Sequence, residues 1–259
     1  MDLFNFSLQQ FQTFLFIFIR VGALLFFAPI FGSRNVPLQL KVGFAFIISI
    51  IVYPMIKVNL DYLPEGIFPM AILLTGEIFI GITIGFITRL IFAGIQLSGN
   101  LVGFQMGFGI VNVIDPSTSS QVSIIAQFQN IIALLIFLSI NAHHFFIKAI
   151  IDSFELIPPL GFHFSGALIG MIVSLFGDIF KIAVKVGAPI IATLFFTSVA
   201  MGLIARTVPQ MNVFIVGFPL KIAVGLLMIG VSLPFFNILL KGIFDGMGRN
   251  IYTLLRLMG

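Results

Sequence analysis

The run IIALLIFLSI (Ile131–Ile140), with its counterpart FAFIISIIV (Phe44–Val52), decides the fold class. Neither alternates polar with apolar residues, as a transmembrane barrel strand does. Continuous apolar runs of this kind favour helices, which satisfy their own N–H and C=O groups in an apolar medium. The rest of the chain extends the pattern. Of 259 residues, 59% are hydrophobic and 8% are charged, and mean hydropathy is +1.20. A soluble globular domain carries about 25% charged residues, so an all-α membrane protein is expected.

Six apolar spans are expected, at 11–31, 40–56, 68–95, 122–151, 166–204 and 212–240. Most exceed the ~20 residues that cross a bilayer. Pro37, Pro64, Pro158, Pro159 and Pro209 fall between spans, where a missing N–H is harmless. Pro189 and Pro219 lie in or beside helical stretches and predict kinks or breaks. The fifth span is long enough for two helices or a bent one. Asp2 and Arg20 do not fit a removable signal peptide. With no cysteine there is neither a disulfide framework nor a cysteine metal site. A net charge of +4, widely scattered, argues against nucleic acid as a partner.

Two features resist a simple membrane-span reading. With six alternating spans, Arg34, Lys41, Arg89 and Arg206 fall on one side, and Lys57, Lys148, Lys241, Arg249 and Arg256 on the other. That is no positive-inside bias. Moreover Arg20, Glu77, Arg89, Asp178, Lys181, Lys185 and Lys221 lie within or at the ends of apolar stretches. Ionisable groups there are costly in lipid and normally face protein or a water-filled passage. Glu77, Gly81, Gly85 and Arg89, followed by Ala93, recur every four residues and form one helical stripe. Its glycines suit close helix approach, so the stripe reads as a helix–helix or subunit seam, with a transported-ion site as the alternative. Asp178, Lys181 and Lys185, extended by Ser174, make a second stripe suited to contacts with neighbouring subunits.

Gly99, Gly103 and Gly107 are also spaced by four, with Gly109 two residues on and Asp115-Pro116 beyond. A close-packed helix is expected to Met106. After it, Gly107 and Gly109 loosen the backbone and Pro116 imposes a turn. Between them lie Phe108, Ile110, Val111, Val113 and Ile114, strongly apolar for a connection. Such residues either pack down as a re-entrant core or close a channel by filling and dewetting it. No catalytic pattern is found. His143, His144 and His163 lack the spacing of a zinc protease, no nucleophile elbow is present, and no cofactor is expected.

The segment Ala205-Arg206-Thr207-Val208-Pro209-Gln210-Met211-Asn212-Val213-Phe214, continuing to Gly217-Phe218-Pro219-Leu220-Lys221, resembles the signature of the FliR family. That family is the export-gate component of flagellar type III secretion, with SctT as the injectisome counterpart. Gly103-Phe104-Gln105-Met106-Gly107 and Val113-Ile114-Asp115-Pro116 resemble the family's central loop, and Arg20, Pro29 and Pro37 fit its early pattern. The resemblance covers essentially the whole chain.

It implies a non-enzymatic subunit of kinked helical hairpins that joins FliP-like and FliQ-like subunits in a pore for unfolded flagellar proteins. FlhA- and FlhB-like components would be further partners, and the bacterial inner membrane and flagellar basal body its location. Residues 1–170 would be FliP-like, with a plug loop at about 106–122, and residues 171–259 a FliQ-like hairpin with a tail. The plug would comprise Met106, Phe108, Ile110, Val111, Val113 and Ile114, with Gly107, Gly109 and Pro116 as its hinge. Subunit contacts would fall at Glu77, Arg89, Asp178, Lys181, Lys185, Arg206, Gln210, Asn212 and Lys221. The rival reading is an ion-coupled secondary transporter of a small solute, using Glu77 and Asp178. A membrane scaffold without a pore is the third.

Overall fold

The structure, a computed structural model, describes residues 8–29, 31–33, 36–56, 66–108, 123–158, 161–208, 210 and 212–259. Among these residues there are helices and no strand: α1 (Leu8–Phe27), α2 (Leu38–Val52), α3 (Ile67–Met106), α4 (Ile124–Ser139), α5 (His144–Leu156), α6 (Gly166–Thr207) and α7 (Val213–Met258). A 3₁₀ turn, Tyr53–Met55, closes α2. Five helices are long and apolar enough to cross a membrane, or six if the bent pair α4–α5 counts as one.

The expected spans are corrected at the fourth and sixth, and at the fifth the two-helix alternative is removed. The fourth breaks, because α4 ends at Ser139 and a separate helix, α5, begins at His144. Asn141 turns the chain with φ 56°, a left-handed conformation that asparagine tolerates better than most residues. The fifth is one unbroken 42-residue helix through Pro189. Beyond that proline the Thr193, Thr197 and Ser198 hydroxyls each donate to the carbonyl four residues back, at 2.8 Å, giving polar groups of the helix local partners. The sixth continues through Pro219 and Pro234 to Met258 instead of ending at 240.

Three helices are far longer than one crossing needs. At about 1.5 Å per residue, the 40, 42 and 46 residues of α3, α6 and α7 extend roughly 60–70 Å. The hydrocarbon core is about 30 Å thick.

The chain forms two compact units, and α3, α6 and α7 contribute to both. The first comprises residues 1–90, 141–175 and 244–259. Its buried side chains include Phe16, Ile17, Val21 and Leu24 of α1, Ile80, Ile84 and Ile87 of α3, and Ile150 of α5. From the end of α7 it takes Phe244, Met247, Ile251, Leu254, Leu255 and Met258. That apolar spacing, resumed after Lys241, is why α7 does not stop at 240. Its terminal carbonyls find donors too: Ser165 Oγ reaches Leu257 O at 3.1 Å, and the His163 N–H reaches Met258 O at 2.7 Å. Ser165 also caps α6, accepting from the Leu168 N–H at 3.2 Å.

The second unit comprises residues 91–140 and 176–243. Its core is Val102 and Met106 of α3, Ile125 of α4, Ile190 and Leu194 of α6, and Ile229 of α7. Helices approach closely here: a Cβ on Gly99 would overlap Ala126, and one on Gly225 would lie within 2.8 Å of the Met106 side chain. In the first unit, a Cβ on Gly81 would overlap the Arg20 carbonyl, and one on Gly85 would meet Phe27 at 2.8 Å. The stripe expected from its four-residue spacing is thus a seam between α3 and α1 within this chain.

Gly81→Val should therefore lower stability by about 1–3 kcal/mol or more, as overpacking does. Gly230→Ala, where an added methyl meets nothing within 4 Å, should be neutral or slightly stabilising. Thermal unfolding of the purified chain compares the two; equal midpoints would contradict the seam.

Candidate functional site

At the α1–α3 seam, Arg20 is fully buried and Glu77 is 2% exposed. The Arg20 Nε donates to Glu77 Oε2 at 2.5 Å. Its other nitrogens donate to Ser153 Oγ at 2.8 Å and to the Ile157 carbonyl at 3.2 Å. The guanidinium also lies 3.6 Å from the centre of the Phe154 ring. One planar fork thus ties α1 to α3 and to the end of α5, which is a geometry that a lysine cannot reproduce. Glu77, expected at a subunit contact, is taken by Arg20 of its own chain. Arg89, at the far end of the stripe, is exposed with its guanidinium 5.7 Å from the Phe27 ring centre.

The base of the expected plug lies in the second unit. Met106 is fully buried in the core and Phe108 packs against it. Gly107 between them has φ 98°, and a Cβ there would meet the Phe218 ring at 2.5 Å. Only glycine suits that position. On the return, Ser123 Oγ donates to the Gly99 carbonyl at 3.4 Å, one turn before Gly103, and Ile125 joins the core. Both flanks of residues 109–122 are therefore fixed to the same stretch of α3. The expected plug residues Ile110, Val111, Val113 and Ile114, with the hinge residues Gly109 and Pro116, lie outside the described residues.

The second charged stripe faces outward on α6. Lys181 Nζ bonds Asp178 Oδ1 at 2.8 Å, with the two side chains 71% and 40% exposed, and Lys185 is exposed beside them. Phe180 and Val184 are exposed between these charges. Arg206 and Gln210 are exposed, and Lys221 is half-buried. Asn212 has a local role as well: its Oδ1 accepts from the Ile215 N–H at 3.4 Å and caps α7. In the same unit Ser98 Oγ, Gln105 Oε1, Gln129 Oε1 and Asn130 Oδ1 are buried without a hydrogen bond among the described residues. Buried polar atoms normally have partners in protein or water.

Several structural residues escaped the sequence reading. Ser153 and Phe154 complete the Arg20 site. Tyr252 donates a short hydrogen bond to Asp152, and Thr88 donates to the Met247 sulfur at 3.1 Å. All are long-range pairings with no local signature. Among the described residues no group of His, Asp and Glu converges as a metal site.

With this geometry established, similarity to known proteins decides the family. Residues 11–247 match the family described as bacterial export proteins, family 1. The chain is 36% identical to the flagellar biosynthetic protein FliR of Bacillus subtilis, covering 98% of this chain and 99% of that protein. This chain belongs to the FliR family. Further FliR relatives are those of Pectobacterium carotovorum, 34% identical over 86% of this chain and 85% of its own length, and Escherichia coli K12, 31% identical over 83% and 82%. The FliR family is an export-protein family of flagellar biosynthesis, and this member is a membrane protein by its apolar helices.

Breaking the buried pair should cost more than replacing it. Glu77→Ala leaves the Arg20 charge unpaired and should destabilise by about 3–5 kcal/mol. The double change Arg20→Met with Glu77→Leu should recover much of that loss. Denaturant unfolding of both variants checks the order; a harmless Glu77→Ala would remove the pair from the fold's foundations.

Proposed function

We propose that this chain is a core subunit of the flagellar export gate. With FliP-like and FliQ-like partners it forms a pore that passes unfolded flagellar proteins across the bacterial inner membrane, at the flagellar basal body. The apolar segment after Phe108 is its seal. FlhA- and FlhB-like components complete the apparatus.

One observation carries this reading best. An apolar connection with Ile110, Val111, Val113 and Ile114 springs from and returns to a single packed stretch of α3, with Met106 and Ile125 in the core on either flank. A seal needs a rigid base and an apolar body, because a narrow hydrophobic constriction excludes water and ions. Gly107 supplies the turn from one to the other. The surroundings support a subunit over a self-contained protein. The Asp178–Lys181 pair and Lys185 stand on an outer face that also exposes Phe180 and Val184, where lipid would be an expensive neighbour for the charges. The orphaned polar atoms of α3 and α4 also suit completion by water or another polypeptide.

The transporter reading is weakened at its main residue. Glu77, the proposed ion site, is held by Arg20 and buried.

Deleting residues 109–116 while keeping Met106 and Phe108 should leave assembly intact and raise ion leakage through the purified complex in planar bilayers. A complex that assembles and stays tight would sink the seal. Asp178→Ala removes an exposed i,i+3 pair worth about 0.2–0.5 kcal/mol, so folding should survive while co-purification with FliP- and FliQ-like partners falls. Undiminished co-purification would take Asp178 out of the contact.

A further inference from the structure

We propose that Phe218 is a positioning residue: from α7 its ring holds Gly107, and with it the direction in which the chain leaves α3. The last bond of α3 runs from the Gly107 N–H to the Phe104 carbonyl at 3.0 Å. At Gly107 the backbone is then free of that helix, and glycine takes up left-handed and right-handed conformations with nearly equal ease. Gly107 has φ 98°, but glycine alone does not choose that angle. A neighbour must choose it. The edge of the Phe218 ring stands where a Cβ on Gly107 would go, with Cδ1 2.5 Å and Cε1 3.0 Å from that point.

The ring belongs to a larger clasp. Phe218, Ile222, Gly225 and Ile229 recur on α7 at spacings of four, three and four, which is one helical face. Along that face Gly225 admits the Met106 side chain, whose Cε and Cγ lie 2.7 Å from where a Cβ would be. Ile229 shares the core with Met106, and Ile222 and Phe108 pack against it. Bulk and its absence alternate across the contact: a glycine of α7 opposes Met106, and a ring of α7 opposes the glycine that ends α3. Met106, Gly107 and Phe108 are thus each set by packing, the first two against α7 directly. On the function proposed above, the held direction aims the seal; the clasp itself does not depend on that reading.

The first test is amide hydrogen exchange on the purified full chain, read at Gly107 by mass spectrometry. Phe218→Ala should speed exchange of the Gly107 N–H by about tenfold, as loss of a local restraint does, while the core amides of Ile190 and Leu194 keep their rates. Phe218→Leu, which retains apolar bulk and spares the fold, should shift Gly107 the same way. Phe218→Tyr, which keeps the ring edge, should exchange like the wild type. Unchanged exchange at Gly107 in the Ala and Leu variants would overturn the clasp, as would a rise shared equally by Ile190 and Leu194. A second test rests on the gate reading: in planar bilayers the Phe218→Ala complex should leak more ions than wild type. If it stays tight while the complex lacking residues 109–116 leaks, the seal stands and its aiming by Phe218 falls. If that deletion stays tight too, the seal itself falls, and exchange at Gly107 alone decides the clasp.

Discussion

The first unit depends on a guanidinium that has no access to water. Arg20 lies mid-helix in α1, and leaving it unpaired among apolar side chains would cost several kcal/mol. Its fork is used in full: a carboxylate on α3, a hydroxyl and a backbone carbonyl at the end of α5, and a ring face below. These partners fix the register of three helices. The pairing also requires α3 to come close enough for Glu77 to reach, and Gly81 and Gly85, one and two turns further on, make that approach possible. Charge and glycine therefore belong to one device. The glycines admit the neighbouring helix, and the ion pair sets where along its length it docks.

Sorting the charges by environment resolves the missing positive-inside bias. That rule counts lysines and arginines on loops flanking spans. Lys41 contributes to such a count, yet it is tucked against Ser33 and Phe26. Arg89 follows the last turn of the seam within a continuous helix. Lys241, Arg249 and Arg256 lie on a helix that never ended at 240. Several of the counted charges are thus not loop residues, and the balance of four against five carried no topological information.

The helical class and a close-packed stripe on α3 were legible because both are written at short range, in uninterrupted apolar runs and in a four-residue repeat. The stripe announced that Glu77 needed an answer, but its partner lies 57 residues away, and spacing alone could not separate a neighbouring helix from a neighbouring subunit. The break at Asn141 lies within a longer apolar stretch, where the polar residues Asn141, His143 and His144 stand between two apolar runs. The tail of α7 was misread for the opposite reason. Lys241, Asp245 and Arg249 look like the end of a span, whereas Phe244, Met247 and Ile251 continue the buried face of the same helix. At the candidate seal, the sequence marked Met106 as part of the plug. In the folded chain it is a core residue, and Phe108 beyond Gly107 still packs against the same core.

On the proposed function, that boundary bears on how such a seal would work. A plug must leave the path of a passing chain without loosening the helices that carry it. Anchoring its flanks to one stretch of α3 meets this requirement, since closing a loop of fourteen or so residues costs entropy that grows only slowly with length. A longer connection would add little to that cost but would relax the aim of the apolar residues. A shorter one would pull on Met106 and Ile125 whenever it moved. Gly107, with its left-handed backbone against Phe218, lets the chain turn out of α3 immediately after the last core residue. On the proposed function, displacement of the seal beyond Phe108 need not be repaid by unfolding the second unit.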